Sequence, residues 1–318
     1  MKKHGKTLGI VLLFVVGLSI LLYPTISNMW NTFRERQLIS SYSNTVASGG
    51  VNTDDLLEQA RAYNAGIQEE AVPDAFSVRD GITDTTYESL LNVNGDGMMG
   101  YIEIPAINVQ IPIYHYTSTE SLQKGVGHLF GSSLPVGGEG THAVMSAHRG
   151  LPSAKLFTDL DLVKEGDVFY IHVLDQILAY QVDDIRVVLP DQTETLGISQ
   201  GEDLVTLVTC TPYAVNSHRI LVRGHRIDFD QNVYDATVSP TAKPKTTSIL
   251  IRILCVLIGI AIALILVKVI NHRNKKKRLK QTSEDQPGSE RDNIGERSGD
   301  NGKEGTEETK ENSETENS

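Results

Sequence analysis

Hydrophobic and polar positions divide the chain into stretches of distinct character. Leu8–Tyr23 is an almost unbroken apolar run, preceded by Lys2, Lys3 and Lys6. It is short for a membrane span. No small-x-small cleavage site follows, so the pattern predicts an uncleaved anchor over 1–26 rather than a removed signal peptide. Trp30 is placed to mark the membrane interface. Polar helical stretches follow at 27–47 and 53–66. The second opens on Asn52 or Thr53 as N-cap, carries Asp54 and Asp55 in its first turn, and aligns Leu56, Ala60 and Tyr63 on one face. Residues 72–79, Val-Pro-Asp-Ala-Phe-Ser-Val-Arg, read as an irregular segment.

From Gly100 to Asp230 the period changes to two. Short alternating or β-branched runs bounded by turn residues predict strands at 100–104, 107–114, 142–147, 167–174, 177–188, 204–209 and 219–227. A short helix is expected around Ala154–Leu160. Residues 189–203, with Pro190, Gly197 and Gly201, form a long connection of the kind that lines a binding site. This spacing implies a mainly β domain, a closed or nearly closed barrel with few helices, over about 84–230. A linker at 231–247 leads to a second apolar run at 248–270, interrupted by Arg252 and Lys268 near its ends. The basic cluster His272–Lys280 follows, and 271–318 reads as a basic, then acidic, disordered tail. Both apolar runs carry basic flanks on their outer sides. The positive-inside rule therefore puts both termini in the cytoplasm and the barrel outside the cell, with 27–83 as a helical segment leading into it.

Charge adds one correction to this picture. Residues 281–318 hold twelve acidic and four basic residues, so −8 of the net −11 belongs to the tail and the rest of the chain is nearly balanced. No basic stripe interleaved with aromatics is present, which argues against nucleic acid. The stretch Asn92-Val-Asn-Gly-Asp96-Gly97 with Glu103 comes close to a calcium-loop pattern. Glu103, however, sits in the strand-like Tyr101-Ile-Glu-Ile-Pro105, where no exiting helix is available, so no metal is expected. No cofactor is implied either.

Candidate chemistry centres on Cys210, one of two cysteines. The other, Cys255, lies in the second apolar run, so the folded domain keeps a single free thiol, as an exported protein does when its cysteine is reserved for chemistry. Leu204–Val208 predicts a buried strand that ends on Cys210. Pro212 breaks it, and a second strand follows with Arg219 on one face. If the two strands pair, Arg219 lies beside the sulfur, where a fixed cation favours thiolate and negative charge on a substrate oxygen. A buried packing role is the plain alternative for a lone thiol. Among nine histidines, His148 lies at the end of the apolar strand Thr141–Ala147, just before Gly-Leu-Pro. His218 neighbours Arg219 and so faces the other side of its strand, and His225 lies further along.

Taken together, Thr206-Leu-Val-Thr-Cys210, Ser146-Ala-His148, Asn216-Ser-His-Arg219 and Gly100-Tyr-Ile-Glu-Ile-Pro105 resemble the sortases, the cysteine transpeptidases of the Gram-positive cell surface. The two anchors and Asp74-Ala-Phe76 point within them to class C, the pilin-polymerising sortases. The resemblance implies a closed eight-stranded sortase-type β-barrel, with Cys210 as nucleophile, His148 as proton shuttle and Arg219 as the essential arginine. Thr209 and Thr211 would support the substrate and its oxyanion. Asp74 and Phe76 would form a lid, with Ala75 in place of the usual proline. It further implies cleavage of an LPxTG-like sorting signal between Thr and Gly through a Cys thioester, which a lysine of another pilin subunit then resolves. Anchoring of surface proteins to peptidoglycan is the alternative, and a non-catalytic pilus scaffold a distant one. A papain-like protease lacks its sequence signature here.

Overall fold

A computed structural model describes residues 2–67, 72–77 and 83–238, with a few helical positions between 259 and 276. Eight strands close into a barrel in the order β1-β2-β3-β4-β7-β8-β6-β5. They are β1 (Met98–Ile104), β2 (Val109–His115), β3 (Val126–His128), β4 (Thr141–Ser146), β5 (Val168–Val173), β6 (Gln176–Val188), β7 (Asp203–Thr211) and β8 (His218–Ile227). The alternating runs thus become strands within a residue or two of their expected ends. Only β3 has no counterpart in the pattern, since three residues are too few to display a period. It pairs parallel with β2 and antiparallel with β4. The interior is filled by Ile102, Ile113, Met145, Phe169, Ile171, Leu207 and Val222 among others, all essentially without solvent access.

The helices are α1 (Lys2–Ala47), α2 (Thr53–Ala65), α3 (Thr85–Ser89), α4 (Thr119–Lys124) and α5 (Gln231–Val238). Asn52 caps α2, its Oδ1 accepting the Asp55 amide. One uninterrupted helix, α1, runs through the anchor boundary expected at residue 26 and through Pro24. Among the described residues it is the one helix long and apolar enough to cross a membrane. The second apolar run, with Cys255, lies largely outside the described residues. The C-terminal half of α1 docks on the barrel: Ile39 and Tyr42 pack with Met98 and Tyr114. The Tyr42 hydroxyl donates to Met99 O at 3.0 Å and accepts the Leu174 amide at 2.7 Å, so it bridges β1 and the β5–β6 turn.

Two local expectations are corrected. Residues 154–160 are not a helix: Leu156 adopts φ +40°, and the Phe157 amide donates to His148 O rather than along a helix. A short 3₁₀ turn forms instead at Leu160–Leu162. The start of the expected linker, 231–238, is helical. Asp230 caps α5 through the Asn232 amide, and Tyr234 docks by donating to Glu103 Oε2 at 3.0 Å and packing edge-on to Tyr170. The Asn92–Gly97 stretch is a turn: Asn92 and Asp96 side chains accept the Gly97 and Met98 amides, and Glu103 lies within β1.

Replacing Tyr42 by Phe strands the buried Leu174 amide. It should lower stability by about 1–3 kcal/mol, measured by denaturant unfolding followed through barrel tyrosine fluorescence. An unchanged midpoint would mean that α1 is not integral to the barrel.

Candidate active site

β7 carries Cys210 near its C-terminal end, and the Thr211–Pro212 peptide that follows is cis. Proline cannot extend the ladder, so the chain turns through 212–217, with Ala214 and Asn216 at positive φ, and returns as β8. The β7–β8 register sets Cys210 directly opposite Arg219. On the other side of β7, β4 runs parallel in a register that pairs Ser146 with Val208. The Ala147 amide continues it by donating to Val208 O, and the Thr209 hydroxyl donates to Ala147 O at 2.7 Å. His148 follows two residues beyond the last β4–β7 pair. Thiol and guanidinium face each other in one row of the pleat, on adjacent strands roughly 4.8 Å apart.

Residues 72–77 lie over this row. The Asp74 carboxylate accepts Arg219 Nε at 2.8 Å and Nη2 at 2.9 Å, a bidentate pair with both side chains largely withdrawn from water. The Phe76 ring lies 5.1 Å from Arg219 Cζ and 5.8 Å, centroid to centroid, from the His148 ring. A turn closes the segment, with the Ser77 amide and hydroxyl both donating to Asp74 O. Ala75, at 1% exposure, packs with Val72 into a cluster formed by Leu129, Val144, Leu196, Val208 and Leu221. Leu196 belongs to the long 189–203 connection, which thereby walls the site.

A match to the Sortase domain covers residues 102–227. The chain is 46% identical to Streptococcus pneumoniae sortase C, whose crystal structure is described for its catalysis and pilin substrate specificity. That likeness covers 61% of this chain and 97% of the other, with a TM-score of 0.57. Streptococcus agalactiae sortase C1 is 49% identical over 61% of this chain and 98% of its own, with a TM-score of 0.55. Among curated relatives, Bacillus anthracis sortase A is 28% identical over 40% of this chain and 59% of that protein. Streptococcus agalactiae sortase A is 26% identical over 70% and 87% respectively. The chain belongs to the sortase family.

In this sortase the remaining candidates have other commitments. His225 Nδ1 lies 3.4 Å from Asp183, and His218 Nδ1 pairs with Ser217. Both threonine hydroxyls expected to support the substrate are engaged: Thr209 is fully buried on Ala147, and Thr211 accepts Arg149 Nη1 at 2.9 Å. The alternation that turns Cys210 to the site turns Thr209 away from it. Sequence reasoning passed over Arg149. Its adjacency to His148 was visible, but its partners, Thr211 and Asp161, are brought to it only by the fold. Among the described residues no cluster of three His, Cys, Asp or Glu is arranged to hold a metal ion.

Burial pushes the Cys210 thiol above its ordinary value; Arg219 opposes this and Asp74 adds to it. Burial also pushes the His148 imidazole down. Both displacements favour the neutral thiol and neutral imidazole while Phe76 and Asp74 are in place. Replacing Phe76 with Ala hydrates both groups and lowers the thiol's value. The inflection in Cys210 alkylation by iodoacetamide should then move to lower pH, and the rate at neutral pH should rise several-fold. An unmoved inflection would mean that this aromatic does not control the thiol.

Proposed function

We propose that this chain is a class C sortase that joins pilin subunits, held outside the cell by an anchor at each end of its barrel. The observation that carries the reading is Arg219, opposite Cys210 in the register, paired with Asp74 while Phe76 lies against both Arg219 and His148. The likeness to sortase C structures supports it.

The chemistry follows from the residues. The segment 72–77 swings away, freeing Arg219 from Asp74, and an LPxTG-like sorting signal takes its place. The Cys210 sulfur attacks the Thr carbonyl carbon, and Arg219 offers its N–H donors to the developing oxyanion. As the Thr–Gly C–N bond breaks, His148 delivers its proton to the leaving glycine nitrogen, leaving a thioester. The lysine amine of a second pilin then attacks the thioester carbonyl and loses a proton to His148. The C–S bond breaks, and an isopeptide bond remains. The imidazolium–thiolate pair needed for the first step is a minor form in the closed state, so opening of the segment is part of the activation.

The test incubates the protein with a sorting-signal peptide. Mass spectrometry should show a Cys210 acyl adduct, absent in Cys210→Ala, which lysine-bearing pilin resolves and a peptidoglycan-type amine does not. Resolution only by the peptidoglycan amine would make the enzyme an anchoring sortase; full activity of Cys210→Ala would leave a scaffold. The lid carries its own test. Ala75 occupies the position after Asp74 in the turn, where proline's fixed φ is favoured. Ala75→Pro should stabilise the closed form by about 0.4–1 kcal/mol, slowing Cys210 alkylation roughly two- to fivefold. Faster alkylation would show that the turn does not accept proline.

A further inference from the structure

The geometry points to Arg149 as a positioning residue that sets the distance and orientation of the His148 imidazole relative to Cys210. The inference rests on the reading of Cys210 and His148 given above.

A proton-transferring histidine is ordinarily oriented by a third group bonded to its far nitrogen. Here, among the described residues, the His148 ring makes no hydrogen bond; its one ring contact is Phe76, which belongs to the segment that must leave. Once substrate enters, the imidazole is held only through its own backbone and its neighbours. That backbone rests on the amide of Ala147, donating to Val208 O, and on the carbonyl of His148, accepting the Phe157 amide. The strand ends at Ser146, and after the Ala147 amide the chain makes no further backbone bond to β7 among the described residues.

Arg149 is the next residue, and its guanidinium ties this departing segment down on two sides. Nη1 donates to Thr211 Oγ1 at 2.9 Å, so the residue after His148 is joined to the residue after Cys210. Nη2 pairs with Asp161, in the 3₁₀ turn that closes the His148 loop. Only a planar fork satisfies two partners fixed in direction in this way. The side chain is 10% exposed, and its Nε–H is buried without an acceptor. A buried donor left unpaired costs stability, so maximal stability is not what this pose provides. What it provides is a fixed spacing between two strand ends that carry the reacting groups. Misplacement of a reacting group by an ångström costs on the order of a hundredfold in rate.

The experiment uses the full chain carrying Arg149→Gln, Arg149→Lys, Thr211→Val, or Arg149→Gln with Thr211→Val. With sorting-signal peptide, Arg149→Gln should lower kcat by about 10- to 100-fold with KM within about twofold. Thr211→Val should reproduce a large part of that loss, and the double variant should be no slower than the slower single one. Arg149→Lys, able to hold one partner at a time, should stay about tenfold impaired. Additive losses, a loss confined to KM, or full activity of Arg149→Lys would each overturn the bridge. Should no peptide turn over even in the parent, the substrate reading fails by itself, and alkylation still tests the inference. In the Phe76→Ala background, Arg149→Gln should move the inflection of Cys210 alkylation to higher pH, because the imidazolium no longer stays beside the thiolate. An inflection that stays in place would overturn it, and a fall in thermal stability without that movement would mean a structural role alone.

Discussion

Two hydrogen-bond registers govern this molecule, one parallel between β4 and β7 and one antiparallel between β7 and β8. Each is set by which side chains fill the barrel interior, because a slip of one residue would turn Met145, Leu207 and Val222 away from it. The same registers set Cys210 opposite Arg219 and lay the end of β4, two residues before His148, beside β7. The site therefore takes its accuracy from barrel packing, and displacing its residues means breaking core contacts.

The segment that covers the site is held to the barrel at a few places. The 72–77 segment is fastened by one bidentate ion pair, one turn and a patch of apolar surface contributed by Val72, Ala75 and Phe76. Such a charge-assisted pair is strong while dry and weakens as water or a competing substrate oxygen reaches Arg219. Burial pushes the Cys210 thiol up and the His148 imidazole down, both towards their neutral forms.

The N-terminal helix takes part in this arrangement more directly than an anchor has to. Asn28 accepts the Lys155 amide, Asn31 donates to Ser153 O, and Tyr42 bridges β1 to the β5–β6 turn. The first two contacts fall on the loop that follows His148. That loop is thereby held by α1 on one side and by Arg149 on the other, although it contains no helix of its own.

Much of this was legible in the residue pattern. Alternating or continuous β-branched runs located seven strands, because a strand buried on one face must alternate and one buried on both must be apolar throughout. Proline after Cys-Thr ended β7, and parity separated Arg219 from His218 on β8. The motifs also indicated the family and drew attention to Asp74 and Phe76. Tertiary structure alone decided pairing and level. β3 is too short to show a period. The expected helix at 154–160 lost its amide to His148 O, and the fork of Arg149 closed on Thr211 and Asp161, residues far along the chain. Local sequence sets the period and the buried face of each element, whereas which strand lies beside it, and at what height, depends on hydrogen bonds between distant segments that exist only once the barrel has closed.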